Sequence, residues 1–257
     1  WAGGKYSLIE DINAKLPEAK KLIEPFVGAG SVFLNSNYSK YLLNDINPDL
    51  INLYNIVKQQ SSDYITDSAK FFTAHYNDEQ RYYQIRQKFN DSDDIYERAL
   101  YFLYLNRHGY NGLCRYNKSG KFNVPFGRYK APYFPEKELW YFAEKSQLAT
   151  FTCDSFEKVF TRARKGSVIY CDPPYAPISK TAMFNSYATG GFTLDNQVTL
   201  ASLAHRAGYT RNIPVLVSNH DTEFTRDIYK GAAMTKLQVS RFISQDGSTR
   251  LKVAELL

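Results

Sequence analysis

The sequence is poor in the residues that build cross-links and metal centres. Its 257 residues hold three cysteines, Cys114, Cys153 and Cys171, with no paired spacing, so neither a disulfide framework nor a zinc cluster is indicated. Four scattered histidines add no metal signature, and no metal is expected. No apolar run approaches the length of a membrane span, and no membrane is expected. No signal-peptide pattern is visible, although the chain opens on Trp1 rather than Met. A reducing, cytoplasmic setting fits these absences best. What is abundant is positive charge and aromatic rings: the net charge is +6 and aromatics make up 16% of the chain. A basic balance favours a polyanionic partner. The length suffices for one large or two small domains with a sizeable core.

The most informative stretch is Asp172-Pro173-Pro174-Tyr175. It follows Val168-Ile169-Tyr170-Cys171, which reads as a buried strand bounded by Gly166 and the proline pair. A carboxylate at a strand end sits at the edge where open α/β sheets bind ligands. Neither proline has an N–H and each fixes φ, so the backbone carbonyls are expected in a stiff arc with no competing donors. That makes an acceptor-only pocket with a flat ring beside it. It suits the exocyclic amine of a nucleobase, whose lone pair is delocalised into its ring. Acceptors on its two hydrogens favour a more tetrahedral nitrogen with a freed lone pair.

Lys21 to Pro25 reads as a strand running into Phe26-Val27-Gly28-Ala29-Gly30, with a helix starting at Ser31. Strand, glycine turn and helix form the outline of a nucleotide-type cofactor loop. The third glycine of the dinucleotide pattern is missing, since position 33 is Phe. A second strand, Tyr41 to Asp45, ends on a carboxylate placed to grip ribose hydroxyls; alternatively Asp45 or Asn47 caps the helix starting near Pro48. At the start of the chain, Trp1-Ala2-Gly3-Gly4-Lys5 offers a flat face, close backbone approach and a positive charge, or simply a flexible start with a packed tryptophan.

From Pro48 to His108 the apolar spacing is helical and reads mostly as core. Arg86 and Arg107 are candidates for phosphate contact or for a solvated face. Arg98 to Pro135 then holds seven Lys or Arg, ten Tyr or Phe, and no acidic residue. Asn117 to Gly120 within it reads as a hairpin turn flanked by Tyr116 and Phe122. Cations interleaved with rings are what a nucleic-acid surface needs, for phosphates, base edges and stacking.

Further on, Glu136 to Gln147 is expected as a helix, Thr150 to Cys153 as a strand and Ser155 to Arg164 as a helix. A helix over Thr193 to Gly208 and strands over Pro214 to Ser218 and Thr235 to Val239 follow, with a possible hairpin in Ile243 to Lys252. Phe151 or Asp154 is placed to touch the cofactor's base. His220, beside a strand end, is read as shaping a loop rather than as a general base. Ala176 to Phe192 is a loop long enough to be functional.

The order of Trp1 to Lys5, the Phe26 to Gly30 loop with Asp45, and Asp172 to Tyr175 resembles the α-group adenine DNA methyltransferases. The stretches Gly109 to Asn117 and Phe122 to Tyr129 look like the Dam methylases, and the likeness covers nearly the whole chain. The resemblance implies methyl transfer from S-adenosylmethionine to a flipped adenine of GATC in double-stranded DNA. It implies a Rossmann-like α/β sheet (1–51 and 136–257) carrying an inserted helical and hairpin recognition domain (52–135). Trp1, Ala2, Gly3, Lys5, Phe26, Gly28, Gly30, Asp45 and also Asp172 would hold the cofactor, and Asp172, Pro173, Pro174 and Tyr175 the adenine. DNA contact and sequence reading would fall to Tyr110, Asn111, Leu113, Arg115, Asn117, Asn123, Pro125, Arg128 and Lys130. The family also carries a basic, site-reading residue before the tryptophan, a position that precedes Trp1. A monomer associated with the nucleoid is expected. Three other readings compete: methylation of an RNA or of a protein amide, a non-catalytic DNA-binding regulator, and a nucleotide-linked dehydrogenase.

Overall fold

In the computed structural model, residues 5–177, 191–240 and 252–257 are described. The chain divides into two compact units. One contains Lys5, Gly28–Leu34 and Asp45–Cys153; the other contains Tyr6–Val27, Asn35–Asn44 and the described part of Asp154–Leu257.

The second unit is built on parallel strands. β1 (Lys21–Glu24) lies between β2 (Lys40–Asn44) and β4 (Ser167–Cys171), and β5 (Val215–Val217) pairs with the far side of β4. The register sets Ile23 opposite Leu42 and Ile169, and Ile169 opposite Val215. β4 is buried at every position, as a near-continuous apolar strand of a parallel sheet must be. Ile169 and Cys171 of β4, with Ile23 and Leu42, form one core with Val159 and Phe160 of α8 (Phe156–Arg162) and Leu200 of α9 (Leu194–His205). The strand order reverses between β1 and β4, so their carboxyl ends flank the crevice where such sheets take ligands. A smaller antiparallel sheet places β8 (Lys252–Leu256) between β6 (Asn219–His220) and β7 (Lys236–Ser240).

Strand and helix ends move by a residue or two from the sequence reading, for local reasons. β1 stops at Glu24 because Pro25 has no N–H to give a ladder. Ser31 is the first residue of the short α2 (Ser31–Asn35), and the Gly30 carbonyl, one residue earlier, accepts the Leu34 N–H. α9 ends at His205 and passes into a π-helical turn over Arg206–Thr210 instead of running straight to Gly208. All of the expected hairpin in Ile243 to Lys252 except Lys252, and most of the loop from Ala176 to Phe192, lie outside the described residues.

The first unit is mostly helical. It contains α3 (Pro48–Gln59), α4 (Ser61–Ala69), α5 (Glu79–Asp91), α6 (Ile95–His108), α7 (Glu136–Ser146) and the strand β3 (Ala149–Thr152). Its core is aromatic: Tyr64, Tyr82, Phe89, Phe102, Tyr104 and Phe122 are all buried. A buried tyrosine needs a partner for its hydroxyl, and these find backbone carbonyls. Tyr64 donates to Ala99 within α6, Tyr82 to Val124 and Tyr104 to Tyr76, so the last two rings also pin loops.

Candidate functional site

Asp172 leaves β4 at its carboxyl end, at the strand reversal. It is half-buried, and its Oδ1 is shielded from solvent. Pro173 is buried behind it, whereas Pro174 is exposed. The carbonyls of this turn do meet a competing donor: the Gln197 amide on α9 donates to the Pro174 oxygen at 2.7 Å. The acceptor arc is therefore narrower than the sequence suggests. Tyr175 donates its hydroxyl to Glu255 at 2.8 Å and sets its ring edge-on to His220, with centroids 4.7 Å apart. Burial, with the negative charges of Asp172 and Glu255, pushes the Tyr175 phenol far above its ordinary pKa, so it stays neutral. The His220 Nδ1 is 2.7 Å from the Ala176 carbonyl; that ring shapes the loop, in line with the sequence reading. Burial, reinforced by Asp172 and Glu24, likewise holds the Cys171 thiol in its protonated form.

The glycine loop follows β1 directly. Phe26 packs on Phe156 and Phe192, with centroids 5.5 Å away in each case. Gly28 (φ 46°) and Gly30 (φ 68°) both occupy the left-handed region, which explains glycine at those two positions. Asp45 follows the last residue of β2. Its carboxylate accepts the Gly28 N–H and the Asn47 N–H, each at 3.0 Å. Asn47, not Asp45, caps α3, accepting from the N–H groups of Asp49 and Leu50. Burial raises the Asp45 pKa, and the N–H groups of Asn47, Gly28 and Ile46 pull it back. A charged group is thus kept half out of water at a cost to folding, as is common where function dictates the residue. The Tyr54 hydroxyl holds the Gly28 carbonyl from the other side, and its ring packs on Phe151 and Phe142. Phe151 therefore supports the loop through Tyr54. Asp154 makes ion pairs with Arg162 and Lys158. Lys5 is described, whereas Trp1, Ala2 and Gly3 lie outside the described residues.

The basic, aromatic stretch forms a compact loop system at the end of α6. Tyr116 bridges Phe122 across a turn in which the Gly120 N–H donates to the Asn117 carbonyl. The Asn117 side chain accepts from Ser119 and Lys121, so it is spent on the turn itself. Arg115 donates to the Asn123 side chain and carbonyl. Gly109 bridges Phe126, the Tyr110 N–H donates to the Pro125 carbonyl, and the Gly127 N–H donates to the His108 carbonyl. A Cβ on Gly127 would come within 2.9 Å of the carbonyl oxygens of both His108 and Gly109, so only glycine lets these two strands of loop approach.

That scaffold presents a tip. Tyr110 is 47% exposed, and Asn111 beside it takes left-handed backbone at φ 53°, with its N–H donating to the Tyr129 hydroxyl. Arg128 is also left-handed (φ 54°), and its guanidinium lies 3.5 Å from Glu79 on an exposed face. Leu113 is half-buried and the Lys130 side chain is exposed. Arg86 and Arg107 each give a hydrogen bond to a loop carbonyl, of Val124 and Tyr133 respectively, so part of each guanidinium holds the scaffold.

Two features of this unit were not visible in the sequence. Asp49, in the first turn of α3, accepts from Arg98 through Nε at 3.0 Å and Nη2 at 2.7 Å, and from the Tyr116 hydroxyl at 2.6 Å. Cys114 packs beside it, 3.4 Å from the Asn47 amide, with its thiol pushed up to about 11 by burial. Neither Cys114 nor Cys171 is thus poised as a nucleophile. Asp49, Gln197, Asn219 and Glu255 are buried polar groups within apolar patterns, and that mismatch was the one available signal. Among the described residues no group of three or more His, Cys, Asp or Glu could hold a metal, and no helix is long and apolar enough to cross a membrane.

Residues 1–243 match the family model of the D12 class N6 adenine-specific DNA methyltransferases. Over all 257 residues the chain is 58% identical to the DNA adenine methylase of Vibrio cholerae, covering 93% of that protein. It is 56% identical to the DNA adenine methylase of Escherichia coli K12, covering 92% of it, and 55% identical to that of Serratia marcescens, covering 95%. With the full chain matched at this level and the Asp172 turn at the end of a buried parallel strand, the chain belongs to the D12 class of N6 adenine-specific DNA methyltransferases.

Proposed function

We propose that this enzyme takes its methyl group from S-adenosylmethionine and places it on an adenine extruded from GATC duplex DNA. The observation that carries this reading is the position of Asp172 at the carboxyl end of β4, next to the strand reversal, with its carboxylate partly withdrawn from water.

The residues present fit the cofactor. The loop has two left-handed glycines and a carboxylate fixed at its base, without the third glycine and the cation that a pyrophosphate would call for. Phe26, Gly28 and Gly30 line the loop, and Asp45 offers acceptor oxygens to the ribose hydroxyls. Trp1, Ala2, Gly3 and Lys5 serve the methionine end, and Phe151 or Asp154 the adenine base. When bound, S-adenosylmethionine supplies an electrophilic carbon together with its own leaving group.

The chain aligns and polarises the acceptor. Extruding the adenine costs a few kcal/mol, and a side chain entering the gap offsets part of that; the exposed Tyr110 and Asn111 at the loop tip are suited to it. The Asp172 carboxylate and a turn carbonyl accept the two amine hydrogens, with the ring of Tyr175 beside the base. The nitrogen lone pair is thereby freed, and the positive charge that grows on the amine meets the negative carboxylate before its proton departs. Leu113, Arg115, Asn123, Pro125, Arg128 and Lys130 read or position the site, with Arg86, Arg107 and Asn117 holding their loops. Functionally, residues 1–51 and 136–257 form the catalytic part and 52–135 the recognition part of a monomer that works on the nucleoid.

Asp172→Asn retains the size of the side chain and discards its charge. Its single-turnover methylation rate on a GATC duplex is expected to fall at least 100-fold, with duplex affinity within a few-fold of the parent. Near-parental turnover by this variant would remove Asp172 from the mechanism.

A further inference from the structure

A buried chain of side-chain amides ends on the Asp172 turn. The Gln197 Nε2 donates to the Pro174 carbonyl at 2.7 Å, and the Asn219 Nδ2 donates to the Gln197 Oε1 at 2.9 Å. The Asn219 Oδ1 in turn accepts two backbone N–H groups, from Ala176 at 3.0 Å and from His220 at 2.9 Å. Gln197 is 1% and Asn219 2% exposed, so water does not compete for these bonds.

The direction of this chain is fixed at both ends. A carbonyl only accepts, so the Gln197 amide must turn its nitrogen to Pro174. A backbone N–H only donates, so Asn219 must turn its oxygen to Ala176 and His220 and its nitrogen to Gln197. The two amides thus have one consistent arrangement, which runs from the residue after the turn, through α9, back onto the turn. It lies apart from the Tyr175–Glu255 bond, which holds the same turn by its aromatic ring.

We propose that Gln197 and Asn219 are positioning residues for methyl transfer. By holding the Pro174 carbonyl toward α9 through one of its lone pairs they fix its direction and set the turn so that the target amine meets Asp172 and the Pro173 carbonyl. A turn with two free carbonyls would offer an amine hydrogen two places to bind, one of them out of line with the incoming methyl group. This inference rests on the reading of the Asp172 turn as the base pocket.

The test uses the full chain, a GATC duplex and S-adenosylmethionine, both saturating, with single-turnover rates, duplex affinity and thermal unfolding measured on each variant. Gln197→Leu removes the donor to Pro174. Asn219→Asp keeps the acceptor for Ala176 and His220 but puts an oxygen toward Gln197, so the glutamine amide must turn over and face its own oxygen to the Pro174 oxygen. Both variants are expected to lose on the order of 30- to 100-fold in rate, the scale of a small misplacement, with duplex affinity changed less than about threefold. Rates within threefold of the parent, or a fall in rate matched by an equal fall in affinity, would overturn the proposal. If Gln197→Leu does not fold, the Asn219→Asp result decides alone. Asp172→Asn runs alongside: an active Asp172→Asn defeats the pocket reading, whereas an inactive one beside fully active amide variants defeats only the positioning role.

Discussion

His108 shows how one side chain can register the state of a whole loop. It is the last residue of α6, it is buried, and its ring stacks on Tyr104 with centroids 4.0 Å apart. Nδ1 lies 3.0 Å from the Tyr104 carbonyl, while Nε2 is buried without a hydrogen-bond partner. A proton on Nε2 would have to stay in that apolar wall, and burial accordingly pulls the His108 pKa down to about 4. A base whose pKa is lower in the folded chain than in the unfolded one leaves the unfolded chain binding more protons between those two values. Stability is therefore full above the ordinary value of 6.5 and drains away as pH falls from there toward 4. Between pH 7 and pH 5 the loss comes to about 2 kcal/mol, at roughly 1.4 kcal/mol for each unit of pKa displaced. Urea midpoints of the parent and of His108→Phe at the two pH values check this: the variant is expected to lose most of that difference, and an unchanged pH slope would show that other groups cause it. Because the His108 carbonyl holds Gly127 in the basic, aromatic loop proposed to read the site, the same titration is expected to loosen site choice at low pH in the parent.

At the scale of elements, α3, α6 and the hairpin are joined by one carboxylate. Asp49 takes two hydrogen bonds from the Arg98 guanidinium and one from Tyr116, and Arg98 also donates to the carbonyls of Phe89 and Ser92. Removing the acid leaves a largely buried cation and phenol short of an acceptor. Asp49→Ala is expected to cost about 3 kcal/mol, the scale of lost charged hydrogen bonds in a buried network. It should also weaken discrimination against single-mismatch duplexes, since Tyr116 anchors the hairpin; a stability loss with unaltered mismatch profile would separate the hairpin from that anchor. This hub also marks the limit of what a sequence can tell. β1 and β4 were legible as short apolar runs running into prolines, and β2 as an apolar run ending on the Asp45 carboxylate, all local signals. So was the Asn117 turn, which satisfies neighbours within a few residues, whereas the sequence left the cap of α3 open between Asp45 and Asn47 and the structure gives it to Asn47. Asp49 and Arg98 are 49 positions apart, and Gln197 meets Pro174 across 23. Each sits in a helix whose spacing reads as ordinary, and nothing local says which carbonyl or carboxylate the fold will bring to it. The Asp172 turn was found from its own residues, but the donor that occupies one of its carbonyls was not.

For the whole molecule the governing quantity is charge. A net +6 on 257 residues meets a duplex that carries one negative charge about every 1.7 Å of axis, so much of the affinity comes from counterion release. Phosphate contacts and base contacts leave different signatures in such a system. Each phosphate contact adds about 0.9 to the slope of log affinity against log salt, whichever sequence is bound, while a base contact adds discrimination of roughly 1–3 kcal/mol at one position. Lys130 is exposed, and its backbone carbonyl is held by Asn77, so its ammonium projects from a fixed point. Arg115 is instead braced by Asn123, which orients a planar fork toward a defined direction. Lys130→Ala is therefore expected to weaken binding to cognate and unrelated duplexes alike and to lower the salt slope by about 0.9. Arg115→Ala should leave the slope nearly unchanged and let methylation spread to duplexes that differ from the site by one base pair. Titrating both variants against both duplexes between 50 and 200 mM salt, on the order of the range where such slopes are resolved, separates the two roles. If Arg115→Ala altered only the slope and Lys130→Ala only the discrimination, the assignment of reader and anchor would have to be exchanged, and the brace from Asn123 would belong to holding the loop and not to aiming the arginine.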